Sequence, residues 1–199
     1  MSNREAPTTL AAFDKFRQLY KTQTSKRIKR VRFDNEFAVP KEWEDYCNKH
    51  GIHIKPTTPY SSQMNGISKR TIHTTTDDIR TLLIESGLPK SFWVEAAAYS
   101  AYTRNLIPLS ALPGKIPLEG WTKKKVDVSH LRTFGCKVYV KVPVDSNGRQ
   151  VNGGSKLDER TLEGTFIGYL QGHRGYRVLM KDSRVIKSKD VEFLEGPAH

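Results

Sequence analysis

Six basic side chains fall between residues 21 and 32: Lys21, Lys26, Arg27, Lys29, Arg30 and Arg32, with no acid among them. A second basic run near the other end carries Arg174, Arg177, Lys181, Arg184, Lys187 and Lys189. Lys69 and Arg70 form an adjacent pair between the two runs. Cations at this density can track phosphates without reading bases. Tyr139 and Tyr176 would offer stacking faces to nucleobases. Lysines pointing outward from strands also discourage edge pairing, so the second run has two readings. Lys26 to Arg30 also has the make-up of a short nuclear import signal. Cys47 and His50 share a helix face at i, i+3, yet no second pair follows with zinc-ligand spacing.

The chain as a whole carries a net charge of +12 over 199 residues. Such an excess concentrates polyanions at the surface, which points to DNA or RNA as partner. The plainer alternative is a generally basic surface with no dedicated ligand. No stretch of about 18 apolar residues occurs, so no membrane-spanning helix is expected. The first residues lack the apolar segment of a signal peptide. Cys47 and Cys136 lie far apart and read as two buried, reduced thiols, which suits a nuclear or cytoplasmic protein.

Helix and strand signals alternate through the first half. Leu10, Phe13, Phe16, Leu19 and Tyr20 recur at helical spacing, and Lys21 to Arg30 reads as a polar connection. Ile28 to Phe33 reads as a strand, Pro40 to His50 as a helix stopped by Gly51, and Ile52 to Lys55 as a second strand. Gly66 to Ser86 reads as a helix with Ile67, Ile72, Ile79, Leu82 and Leu83 inward. Another helix begins at Pro89, and a connector anchored by Trp121 follows. From His130 the period changes to two, with Val138, Val140 and Val142 alternating against Lys137, Tyr139 and Lys141. Turn chemistry at Asp145 to Gly148 and Asn152 to Ser155, then further short strands, suggest a small barrel.

The order of local motifs resembles the integrases of copia-type LTR retrotransposons. Arg32-Phe33-Asp34-Asn35-Glu36-Phe37 is similar to the family's "RSDNGGEF" with two glycines deleted. Tyr46-Cys47-Asn48-Lys49-His50-Gly51-Ile52 resembles "YCxxHGI", and Thr58 to Arg70 resembles "PYxPQxNGxAER". Glu85 to Ala96, Val128 to Cys136 and Lys156 to Val178 continue the likeness. The resemblance implies an α/β fold plus an all-β unit: a truncated RNase H-like integrase core over 1–108, a connector over 109–127, and an SH3-like barrel over 128–195. The barrel is expected to be the most self-sufficient part.

In that family three carboxylates hold two Mg²⁺ ions, one activating the attacking oxygen and the other stabilising the leaving oxygen. Carried over residue by residue, the second ligand is Asp34 and the first would lie upstream of residue 1. The third position, the Glu of "AER", is Lys69. Exchanging the sign of a charge about 4 Å from a cation costs on the order of 4 kcal/mol per unit charge at an effective dielectric near 20. Asp34 is thus a relic metal ligand or simply a solvated residue at a strand end, and no Mg²⁺ is expected here. Asp77 and Asp78 read as exposed helix charges. With the first strands absent, the short sheet would need a homo-oligomer or partner chain to complete it, or helices packed over its edge. The resulting expectation is a nucleic-acid-binding relative of a strand-transfer enzyme. The alternatives are an active Mg²⁺-dependent integrase completed by a longer precursor or partner, and a protein-interaction module built on the barrel.

Overall fold

The computed structural model describes residues 5–33, 39–56, 66–108, 114–142, 160–170 and 175–194. The chain divides into two compact units, one ending at Thr71 and the other beginning at Ile72. Each is described by itself.

The first unit is built on a strand–helix–strand element. Helix α1 (Glu5–Thr24) precedes β1 (Arg30–Phe33), α2 (Lys41–His50) and β2 (His53–Pro56). Helix α1 extends further than the apolar spacing indicated and takes in Lys21. Helix α2 is specified at both ends. Pro40 sets the entry, Glu42 and Glu44 sit in the first turn, and Lys49 and His50 in the last, in accord with the helix dipole. Gly51 then adopts the left-handed conformation, and its N–H donates to Asn48 O while that of Ile52 donates to Cys47 O. The two strands pair in parallel, Arg30 beside His53 and Arg32 beside Lys55. The core beneath them is Trp43, Cys47 and Ile52, ringed by Leu10, Phe13, Ile28, Val31, Phe33 and Ile54.

Helix α3 (Gly66–Ser86) runs through the boundary between the units. Its inward stripe is shorter than the sequence indicates. Ile79, Leu82 and Leu83 pack against Ala96, Phe134 and Ile167, whereas Ile67 is 86% exposed and Ile72 68% exposed. A single 3-10 turn (Lys90–Phe92) leads into α4 (Trp93–Arg104), and α5 (Pro117–Thr122) follows. Trp121, read as an anchor, is instead 41% exposed.

The second unit closes on a five-stranded antiparallel sheet in the order β6-β5-β4-β3-β7. Its strands are β3 (Lys137–Lys141), β4 (Thr161–Tyr169), β5 (Tyr176–Met180), β6 (Val185–Ser188) and β7 (Val191–Leu194). The alternation in β3 is as read: Val138 and Val140 are buried, Lys137 and Lys141 exposed. Phe166, Ile167, Val138 and Val178 are fully buried. Helix α4 is part of this core, because Ala96 and Tyr99 pack on Phe134, Ile167 and Phe166. Two glycines allow the close packing. A Cβ at Gly164 would lie 2.5 Å from Val178 Cγ1, and one at Gly135, with φ +80°, would lie 2.2 Å from Ser86 Cβ. The turn segments at 145–148 and 152–155 lie outside the described residues.

Candidate nucleic-acid interface

The first basic run separates into a strand and a loop. Along β1, Arg30 and Arg32 are exposed, while Val31 and Phe33 turn toward the core. Paired residues of neighbouring strands share a sheet face. Parallel pairing therefore sets His53 beside Arg30 and Lys55 beside Arg32, both exposed on the same face. A single outer face thus carries Arg30, Arg32, His53 and Lys55. Lys26, Arg27 and Lys29 precede it, all exposed. Half-buried Ile28 packs into the core, and Lys29 O accepts the His53 N–H at 2.9 Å, which fixes this segment. His53 and Lys55 were missed in the sequence because alternation shows a strand's faces but not its register with another strand.

Lys69 occupies the first turn of α3 and is exposed, as is Arg70. That turn contains no acid. A helix N-terminus favours carboxylates, so an ammonium there opposes the dipole rather than complementing it. Asp34 lies outside the described residues. Among the described residues no group of three His, Cys, Asp or Glu side chains is gathered to hold a metal. An ammonium at Lys69 is no ligand, so the donors among the described residues do not fit a pair of Mg²⁺ ions. Asp77 binds Arg80 and His73 along its own helix. Asp78 is not the exposed charge it appears in sequence. It accepts from Ser100 Oγ at 2.7 Å and from Arg104 at 2.8 Å, joining α3 to α4.

Three of the five described cations of the second basic run are paired with carboxylates. Arg177 donates to Glu95 at 3.1 Å. Lys181 and Lys137 share Glu163, at 3.0 and 2.9 Å, and together hold its carboxyl below the usual range, Lys137 contributing most. Arg184 pairs with Asp182. Lys187 stands opposite Arg177 on β6 and, like Lys189, is exposed. Arg174 lies outside the described residues. Tyr176 is not a free stacking face, since its ring meets Phe166 and Phe193. Half-buried Tyr139 has the Lys137 ammonium 5.9 Å from its ring centre.

Two polar clusters join distant elements, one in each unit. In the first unit the Tyr46 hydroxyl donates to Asp14, and Arg17 Nη2 donates to the same carboxylate oxygen at 2.8 Å. Arg17 Nε donates to the Tyr46 oxygen at 2.6 Å. The Tyr46 hydroxyl, then Arg17, hold the Asp14 carboxyl below its ordinary value. In the second unit the Tyr169 oxygen accepts the Arg132 N–H at 2.8 Å, and burial pushes its phenol strongly up. Cys47 is fully buried and its thiol is raised by burial, whereas Cys136 is only partly buried.

Residues 136–199 match the family model of the retroviral polymerase SH3-like domain. The retrovirus-related Pol polyprotein from transposon TNT 1-94 of Nicotiana tabacum is 38% identical over 187 residues, covering 92% of this chain and 14% of that polyprotein. The corresponding polyprotein from transposon RE1 of Arabidopsis thaliana is 28% identical over 186 residues, covering 92% of this chain and 12% of its own length. The chain therefore spans less than a sixth of either relative. A solved structure, the simian T-cell lymphotropic virus intasome in complex with PP2A regulatory subunit B56 gamma, aligns over 100% of this chain and 66% of that one. Its TM-score is 0.47 at 15% identity, too remote a likeness to argue from.

Proposed function

The chain is related to the integrase region of copia-type retrotransposon Pol polyproteins, and from that premise we propose that it binds nucleic acid through phosphates without joining strands. The observation that carries this reading is Lys69. It places an exposed ammonium in the acid-free first turn of α3, where the family motif has its carboxylate. Two Mg²⁺ ions need hard anionic oxygens, and a cation in the ligand set repels them. The same charge favours a phosphate.

On this reading the first unit is part of an RNase H-like core, of which the parallel β1–α2–β2 element is one part. Its sheet face of Arg30, Arg32, His53 and Lys55 is the main contact for DNA or RNA. The SH3-like unit adds Lys187 and Lys189. The sheet is open to completion by a second copy or another chain, since β1 and β2 pair only with each other among the described residues.

A competing reading is a Mg²⁺-dependent strand transferase whose other ligands lie in a longer protein. The chain covers 14% of the Nicotiana tabacum polyprotein, so further ligands would come from the rest of such a protein. An assay of duplex nicking and joining with Mg²⁺, run beside a binding assay on the same samples, separates the two. Binding without metal-dependent product is expected. A Mg²⁺-dependent product that vanishes in Asp34→Asn would overturn the proposal.

A further inference from the structure

A cleft of about 270 Å³ in the first unit is lined by Arg17, Lys21, Arg27, Lys49, His50, Ile28 and Ile52. Four of these side chains are permanent cations and a fifth is an imidazole. They converge from three places: Arg17 and Lys21 one turn apart on α1, Arg27 from the segment before β1, and Lys49 with His50 from the last turn of α2. Among the described residues Lys21, Arg27 and Lys49 form no ion pair. Asp14 is not among the lining residues, and its oxygens are engaged by Arg17, Tyr46 and Gln18.

We infer that this cleft is a phosphate-binding pocket. Like charges gathered on a concave wall raise the local anion concentration more than the same charges on a convex surface. Arg17 is the organising group. Its Nε and Nη2 are tied to Tyr46 and Asp14, while Nη1 makes no hydrogen bond among the described residues. A guanidinium already held in place loses little freedom when it binds an oxyanion. The His50 ring leans on Tyr46, with centroids 4.5 Å apart, and so is also positioned. The carbonyls at the end of α2 would repel an anion, but Asn48 O and Cys47 O already accept the Gly51 and Ile52 N–H groups. The ligand is thus a phosphoryl group, presented either by a nucleic-acid backbone or by a free phosphate. The inference depends on the proposed nucleic-acid reading only for that source.

Inorganic pyrophosphate titrated into the full chain by calorimetry tests it. Saturable one-site binding is expected, weakened by about tenfold or more in Lys21→Gln/Lys49→Gln. The control Lys41→Gln, exposed in the first turn of α2 and outside the cleft, should bind pyrophosphate as the unaltered chain does. A short duplex DNA added first identifies the source: displacement of pyrophosphate points to the backbone, and simultaneous binding points to a free phosphate. Equal binding by the double-lysine variant overturns the inference. So does absence of saturable binding to the unaltered chain, and a lowered melting temperature in the variant would then assign the lysines to the helix ends. DNA binding that survives such a failure leaves the nucleic-acid reading standing, whereas pyrophosphate binding without DNA binding removes that reading and keeps the pocket.

Discussion

The two units solve the problem of stability differently. The second buries a continuous aromatic core: Phe166 is fully enclosed, with the rings of Tyr99, Tyr169, Tyr176 and Phe193 all within 6.2 Å. The first rests on Trp43 between Phe13 and Phe33, with Cys47 its one fully buried large side chain among the described residues, under two four-residue strands. Charge follows the opposite order. In the second unit Arg177, Lys181 and Arg184 of the basic run are paired with Glu95, Glu163 and Asp182, whereas among the described residues Lys21, Arg27 and Lys49 in the first unit's cleft form no ion pair. The second unit thus ties three cations of its basic run to carboxylates, while the first leaves those three cations of its cleft without an acidic partner among the described residues.

The largest effect that would break this contrast is expected at Phe166. Phe166→Ala removes the central ring of the aromatic core and should cost about 3–5 kcal/mol. Near-ultraviolet circular dichroism on heating should show the tyrosine-rich transition falling sharply. Trp43→Ala should cost about 3 kcal/mol in the first unit and leave that transition in place. A single melt lowered equally by both substitutions would mean that the two cores are not independent.

A smaller effect follows from Asp14. Its carboxyl is held below the ordinary 3.8 by the Tyr46 hydroxyl first and by Arg17. A carboxylate depressed in the folded state contributes stability that is complete above the unfolded value and lost as pH falls through the folded one. Urea melts followed downward from neutral pH should therefore show the first unit weakening below about 3.8. In Tyr46→Phe the acid limb should flatten. An unchanged acid limb would show that the Tyr46 hydroxyl does not govern the titration.

Local signals in the chain announce most of this architecture. The end of α2 is written in Lys49, His50 and Gly51, and β3 in alternating valines, because capping and period are properties of neighbouring residues. What depends on distant partners is not legible. Ile72 lies seven residues before Ile79, so helical spacing sets them on one stripe, yet the core covers Ile79 and leaves Ile72 68% exposed. Arg177 looks like an outward strand cation, but its partner Glu95 is 82 residues away. The outer sheet face needed the register of β1 against β2 before His53 and Lys55 joined Arg30 and Arg32. Lys69 was visible in sequence because a change of sign needs no coordinates.

The central claim is that binding is electrostatic and centred on that sheet face. Its most direct test is the affinity of the full chain for non-specific duplex DNA across a salt series, compared with Arg30→Gln/Lys55→Gln. Log K should fall linearly with log salt, by about 0.9 for each phosphate neutralised, and the variant's slope should be shallower by about 2. An affinity that ignores salt, or a slope the variant leaves unchanged, would contradict the account.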